Sequence, residues 1–376
     1  MASRHRADPA ESRLGKILTR VTLTGMPAWG QWAILLVLGG GLGRLFVQAD
    51  IPAGQLLGPI VIATLCGLRG AAVRVHRGFL VLAQAVAGYL IALNMDVGIL
   101  HQMTEQWFVV LIFVALTFAA TCIIGLIAAR WTGIDRDVAI WGFLPGMAGT
   151  VIAMSEEQGL DSRMVAFIQI LRLFVVIASM SLVATFLVAQ SAPLLTSTSA
   201  FSLSSVGLGL LVMASGLAAA YGLRALPGGA TLVPLGLTVM LRIWGFEVHL
   251  PAPLAMAAFL ALGLQIGLRM TPQLLRQGAK ALPALLAASL LLIAFCAVSG
   301  LVLSWVAEVD LMSAMLATVP GSIETIAMIA ISAHADVAFV MTLQTVRMFA
   351  VALLGPMVAC FLMRLLSQRA KRQGPA

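Results

Sequence analysis

The sequence predicts an all-α polytopic membrane protein of two inverted repeats, each with about five transmembrane helices and one Pro-Gly-broken or re-entrant helix. Three observations predict it. Of the 376 residues, 61% are hydrophobic and 10% charged, where a soluble domain carries about 25% charged residues. The segment PGMAGTVIAMSEEQGLDSRMVAFIQILRLF from Pro145 aligns without a gap on PGSIETIAMIAISAHADVAFVMTLQTVRMF from Pro320, an offset of 175 residues. The loops paired by that offset carry opposite charge patterns. A long fixed period in an apolar chain marks a duplicated membrane bundle, the plan of many secondary transporters.

The elements follow in order. Residues 1–28 are polar and basic, with Arg4, Arg6, Arg13, Lys16 and Arg20, and no convincing cleavage site ends the first apolar run. They read as a cytosolic tail before a retained span. The apolar runs of the first half lie at roughly 29–47, 52–68, 79–97, 107–129, 138–154 and 164–190. Those of the second half lie at roughly 206–222, 227–244, 252–268, 281–306, 311–331 and 339–363. The offset also pairs Pro52 with Pro227, Gly54 with Gly229, Pro59 with Pro234, Gly88 with Gly263, Leu93 with Leu268 and Met95 with Met270. The runs are continuous rather than alternating, which fits helices and not a barrel.

A span needs about 20 apolar residues. If all twelve runs cross, the halves are parallel. If the fifth run of each half re-enters, there are ten spans and the halves are inverted. The loop charges favour inversion. With the N-terminus inside, the loop at 48–51 lacks Lys and Arg, while its counterpart holds Arg224. The loop with Arg69, Arg74 and Arg77 is matched by FEVHLPAP, which has neither. The loop around His101 and Glu105 is matched by one holding Arg269, Arg276 and Lys280. Arg130 and Arg136 correspond to a loop with Glu308 and Asp310, and Arg163 has no basic equivalent in SAHADVAF. Inversion puts Arg269, Arg276, Lys280 and the C-terminal Arg364, Arg369, Lys371 and Arg372 on the cytosolic side. The division is then a first repeat at 29–190, an uncharged external loop at 191–205, a second repeat at 206–365 and a cytosolic tail at 366–376.

The net charge of +8 comes from the chain ends and selected loops, with no basic helix, so no direct nucleic-acid partner is expected. Cys66, Cys122, Cys296 and Cys360 lie in apolar runs without metal-like spacing and read as small buried hydrophobes. No metal site and no cofactor is expected. There is no HExxH, nucleophile elbow or Walker loop, so no enzyme is expected. GGGLGRLF (39–46) lies inside a span and reads as helix packing.

Function has to come from the few polar groups at membrane depth. A helix cannot run unbroken through Pro145-Gly146 or Pro320-Gly321. The amides opened at each break attract anions, and Thr150 and Thr325 add hydroxyls one turn later. Inverted halves would bring the breaks together at a shared cavity. Gln169-x-x-Arg172 and Gln344-x-x-Arg347 each put an amide and a guanidinium on one helix face. Arg172 lies eleven residues past Asp161, or about 16 Å into the helix. An arginine there must be paired or face water. Two roles stay open: binding an anionic solute, and holding carbonyls freed by the breaks. Glu324, in an otherwise apolar helix, is the proton-coupling candidate; its mirror position is Gly149, and Glu156 and Glu157 have no acidic mirrors either. Asp161 and Asp336 read as helix caps. Asp96, His101, His249 and His334 read as interfacial.

The paired PG…T…D…Q..R segments resemble the AbrB duplication family of bacterial inner-membrane proteins, over about residues 30–365 and most strongly at 145–174 and 320–349. That family shares a name, but no fold, with a soluble DNA-binding regulator. Some members are labelled ammonia monooxygenases, which implies copper ligands for which this sequence has no cluster. Others are described as regulators of gene expression, a role that would be indirect without a DNA-binding module. The resemblance implies a multi-pass protein of the bacterial inner membrane, and both termini are expected in the cytosol. The leading expectation is a secondary transporter of a small solute, an anion being the favoured class, with proton coupling. The alternative is a membrane sensor or regulator. The expected partners are the solute and the lipid bilayer, and a homo-oligomer is compatible with both readings.

Overall fold

The computed structural model describes residues 23–95, 107–145, 148–187, 203–223, 226, 228–351 and 353. The loop at 191–205 and the tails at 1–28 and 366–376 lie wholly or mostly outside the described residues, as do Gly146, Asp96 and His101. Every regular element among the described residues is helical. The first half holds α1 (Ala28–Gln48), α2 (Gly54–Leu68), α3 (Arg77–Leu93), α4 (Trp107–Thr132), α5 (Arg136–Phe143), α6 (Ala148–Glu157) and α7 (Ser162–Leu187). The second holds α8 (Leu203–Gly222), α9 (Gly229–Ile243), α10 (Ala252–Leu268), α11 (Pro272–Gly278), α12 (Leu282–Ala307), α13 (Leu311–Thr318) and α14 (Ile323–Ser332). The chain continues into α15 (Val337–Val351).

The helix ends recur at the 175-residue offset. Both boundaries of α9, α10, α12, α13 and α14 repeat those of α2, α3, α4, α5 and α6. The determinants repeat with them: Ala53 and Gly228 are left-handed N-caps, and Pro59 and Pro234 lie inside the helices that follow. α11 breaks the pattern. It is a short helix bent 50° from α10, built by the Thr271 hydroxyl accepting from the Leu274 amide, in what the sequence reads only as a basic loop.

Five helices are long and apolar enough to cross a bilayer, and six if the bent α10–α11 pair is one span. α2, α3 and α9 are shorter and pack through small residues, which lets backbones approach closely. α1 runs antiparallel to α2, with Gly54 against Phe46 and Gly58 against Gly43. α2 and α10 run in the same direction: Gly263 meets Leu56, Gly267 meets Ile60 and Gly67 meets Met270. α3 and α9 repeat this arrangement, with Gly88 against Thr231 at one end. At the other end Arg242 donates to the carbonyls of Ala92 and Met95, closing the end of α3.

His249 is buried, at 7% exposure, and its amide donates to the Ser205 carbonyl, so it joins the segment 246–251 to α8. His334 is exposed in a left-handed turn.

Candidate functional site

Each fifth apolar run is two short helices rather than one span. The first stops at Phe143 and resumes at Ala148; the second stops at Thr318 and resumes at Ile323. Pro145 and Pro320 lie in the gaps, where a missing amide donor ends the helix. The ends of each hairpin meet. In the second, the Asp336 amide, ahead of α15, donates to the Ser313 hydroxyl in the first turn of α13 at 2.6 Å. In the first, α5 runs along α7, with the Trp141 carbonyl opposite Gln169 and the Leu144 carbonyl opposite Arg172. Only residues 158–161 separate α6 from the start of α7. Chain that enters beside the start of α7 therefore returns there.

The carbonyls at the end of a helix lack intrahelical partners and carry its negative pole. The arginines meet them. Arg172 Nη1 donates to the carbonyls of Phe143 and, at 3.1 Å, Leu144. Arg347 Nη1 donates to Thr318 at 3.4 Å and Val319 at 2.9 Å, the same two positions of the second half. The glutamines match as well: Gln169 Nε2 reaches the Trp141 carbonyl at 3.4 Å and Gln344 Nε2 the Leu316 carbonyl at 2.7 Å.

The second hairpin is closed further. Gln344 Nε2 also reaches the Val319 carbonyl at 3.1 Å, and Arg347 Nη2 donates to Gln344 Oε1. In the first hairpin Gln169 Oε1, Arg172 Nε and Trp141 Nε1 are buried without a partner among the described residues. Arg172 and Arg347 are 6% and 4% exposed and lie within electrostatic range of one another. Neither has a carboxylate partner among the described residues. Gly321 of the second break lies against Val176 of α7, one turn beyond Arg172.

The returning helices differ at their positive ends. In α14 the Ser322 hydroxyl accepts from the Thr325 amide, the Thr325 hydroxyl donates to the Ser322 carbonyl, and Glu324 sits in the first turn. Thr325 is thus used in a cap. α6 has no acid in its first turn, and the side chain of Thr150 lies outside the described residues. Glu324 Oε1 accepts from Gln84 Nε2 at 3.2 Å and Thr231 Oγ1 at 3.0 Å. Glu324 also lies within electrostatic range of Arg269. Sequence reasoning missed Gln84, Thr231 and Arg269 as its neighbours. Asp161 Oδ1 accepts from the amides of Arg163 and Met164, and Asp336 Oδ1 from that of Phe339; both are N-caps by geometry. No group of three or more potential metal ligands occurs among the described residues.

The AbrB family model, described as transition state regulatory protein AbrB, matches residues 55–363. A protein of Escherichia coli (strain K12) named "Putative regulator AbrB" is 32% identical over 335 residues, which cover 88% of this chain and 96% of that protein. "Uncharacterized protein YhjN" of Bacillus subtilis (strain 168) is 22% identical over 350 residues, covering 86% of this chain and 91% of that protein. The chain belongs to the AbrB family.

Proposed function

From this membership and the arginine pair, we propose that the protein is a secondary transporter of a small anionic solute, with Glu324 as the proton carrier and no enzymatic activity. The observation that carries the reading is two buried guanidiniums in electrostatic range of each other with no carboxylate on either, among the described residues. A charge at the bilayer centre costs about 2.5–3.5 kcal/mol on insertion scales, and burying two without a counter-ion favours an anion between them. Arg172 is the better placed, because its Nε has no partner among the described residues and the first turn of α6 carries no acid.

The halves are read as inverted, with five spans and one re-entrant hairpin each, in the bacterial inner membrane with both termini cytosolic. Contacts support this. The ends of α2 and α10 lie side by side, so Arg69 and Arg269 share one end of the bundle. α11 follows and packs Gly278 against Phe167 near the start of α7, which brings Arg276 and Arg163 to that end as well. Parallel six-span halves would separate Arg69 from Arg269. Alternating access between such halves around a midplane site is how transporters of this plan work.

The test is thermal denaturation of the purified protein with phosphate, acetate, lactate and succinate, then uptake of any stabilising anion into proteoliposomes. We expect at least one anion to stabilise the protein, and Arg172→Lys to weaken its binding about tenfold or more, because lysine keeps the charge and loses the fork. Full affinity in folded Arg172→Lys and Arg347→Lys proteins would assign both arginines to architecture. The name of the E. coli relative favours a second reading, a membrane regulator. It predicts anion binding at the same site without flux.

A further inference from the structure

The duplication gives the molecule an internal control. Helix boundaries and the matched Pro, Gly, Thr, Asp, Gln and Arg positions recur at the 175-residue offset. Around Glu324 the side chains do not. Gln84, Thr231, Arg269 and Glu324 have as mirrors Phe259, Leu56, Asn94 and Gly149. Three of the four lose all polar side-chain function together. In the first half the equivalent place is apolar, with Leu56 and Phe259 each 1% exposed.

The polar version joins separate parts of the molecule. Glu324 belongs to the returning arm of the second hairpin. Its two donors come from α3 and α9, which meet so closely there that a Cβ on Gly88 would collide with the Thr231 carbonyl. Thr231 is 1% exposed. One carboxylate oxygen therefore ties the hairpin to a tightly packed helix crossing.

We propose that Glu324, Gln84 and Thr231 form a proton-binding latch that holds the second hairpin against the α3–α9 crossing, and that the first hairpin has no counterpart. The proposal rests on the reading of Glu324 as the proton carrier and adds Gln84 and Thr231 as its positioning residues. The ionised carboxylate accepts both hydrogen bonds. A proton taken from water onto Glu324 neutralises it, turns one oxygen into a donor, and removes the attraction to Arg269. Both donors bond Oε1, which is left a carbonyl oxygen when the proton sits on Oε2 and accepts more weakly than a carboxylate oxygen, so the tie to the hairpin loosens. Of the charged groups on the packed elements, Arg269 of α10 lies within electrostatic range of Glu324. Arg172 of α7 and Arg347 of α15 are engaged at the breaks. α3 presents Tyr89, whose hydroxyl is held between Val248 and Leu250. Arg242 of α9 caps α3.

Hydrogen–deuterium exchange read by mass spectrometry tests this on the full-length protein, with no solute required. Residues 323–332 report the latch, and 148–157 are the reference that corrects for the pH dependence of exchange chemistry. Acidification should speed exchange in 323–332 relative to the reference by roughly tenfold, the scale of one lost charged hydrogen bond. Glu324→Gln should abolish that pH dependence. Gln84→Leu and Thr231→Val remove donors to the ionised form and should move the change toward neutral pH, while Thr231→Ser should restore the native profile. The latch is overturned if Glu324→Gln keeps the native pH dependence, if both segments respond equally, or if the donor variants leave the transition unmoved. A latch that responds in a protein showing no flux overturns transport alone. Flux without a pH-dependent hairpin overturns the latch alone.

Discussion

In the first hairpin Arg172 reaches two carbonyls, and neither its Nε nor the glutamine oxygen beside it has a partner among the described residues. In the second, Arg347 reaches the same two carbonyl positions and is also bonded to Gln344, which itself closes on two carbonyls. The first returning helix starts without an acid; the second starts with Ser322 as its cap and Glu324 bonded across the bundle. One scaffold has thus been left open in one copy and closed in the other. A buried polar network that is fully satisfied rigidifies its site, whereas a partly satisfied one leaves groups available to a ligand or water. Under the proposed transport reading, recognition falls to the first hairpin and coupling to the second.

The largest expected effect tests that division directly. Replacing Arg347 by leucine removes the guanidinium from the Thr318 carbonyl and from Gln344 Oε1, and leaves the Val319 carbonyl to Gln344 alone. Removing a partner from a buried polar group costs about 1–3 kcal/mol per group, partly offset by relief of the buried charge. We expect Arg347→Leu to lower stability by about 3 kcal/mol and Arg172→Leu by about half of that, measured by denaturant unfolding in one detergent. Equal losses, or the reverse order, would break the comparison and make both hairpins structural to the same degree.

The next effect lies at the helix crossings. Gly88 and Gly263 are mirror positions, and an added methyl would meet backbone at both: Thr231 and Leu235 in one case, Leu56 and Ile60 in the other. Overpacking of this kind costs about 1–3 kcal/mol. Gly88→Ala should fall near the upper end, because its collision is the closer and shifts the Thr231 donor to Glu324. Gly263→Ala should fall near the lower end and leave the hairpin's response to pH intact. Thermal denaturation of the two variants, with exchange in 323–332, checks both halves of the statement.

Much of the architecture is legible in the chain, because the repeat is written in residues that shape backbone. Prolines 145 and 320 mark the breaks, and the matched glycines mark close helix contacts. Gln169 and Arg172 can be assigned to one face from spacing alone. Their burial follows from the apolar residues around them, but their carbonyl partners do not. The partners of Glu324 were beyond reach for a physical reason: they are 240 and 93 residues away in sequence and come from helices whose pairing depends on how the halves dock. Gln84 in its apolar helix reads as any single polar residue would. The unequal closure of the two Gln-x-x-Arg pairs was hidden as well, since the motif is identical in both halves. The short helix α11 was missed because seven residues following Thr271 form too brief a stretch for periodicity to register.

The smallest expected effect concerns features that should not differ. Asp161 and Asp336 are mirror residues and both accept backbone amides at the start of the long helix that carries the arginine. Capping satisfies donors that the first turn leaves without partners, and its loss costs about 1 kcal/mol. Asp161→Ala and Asp336→Ala should each lower stability by about 1 kcal/mol, and each asparagine variant should recover most of it. Neither should alter anion affinity, because both caps lie about 16 Å along the helix from the guanidiniums. Asp336 has one further tie, its amide to Ser313, where the first half has Val138. That bond uses the backbone, so it survives the alanine change, and Ser313→Ala is the variant that removes it. Unequal caps would place the asymmetry of the halves at the ends of the hairpins as well as at their breaks. A cap variant that binds anion poorly at unchanged stability would mean that the matched aspartates serve the solute, and the comparison would then have to be redrawn around them.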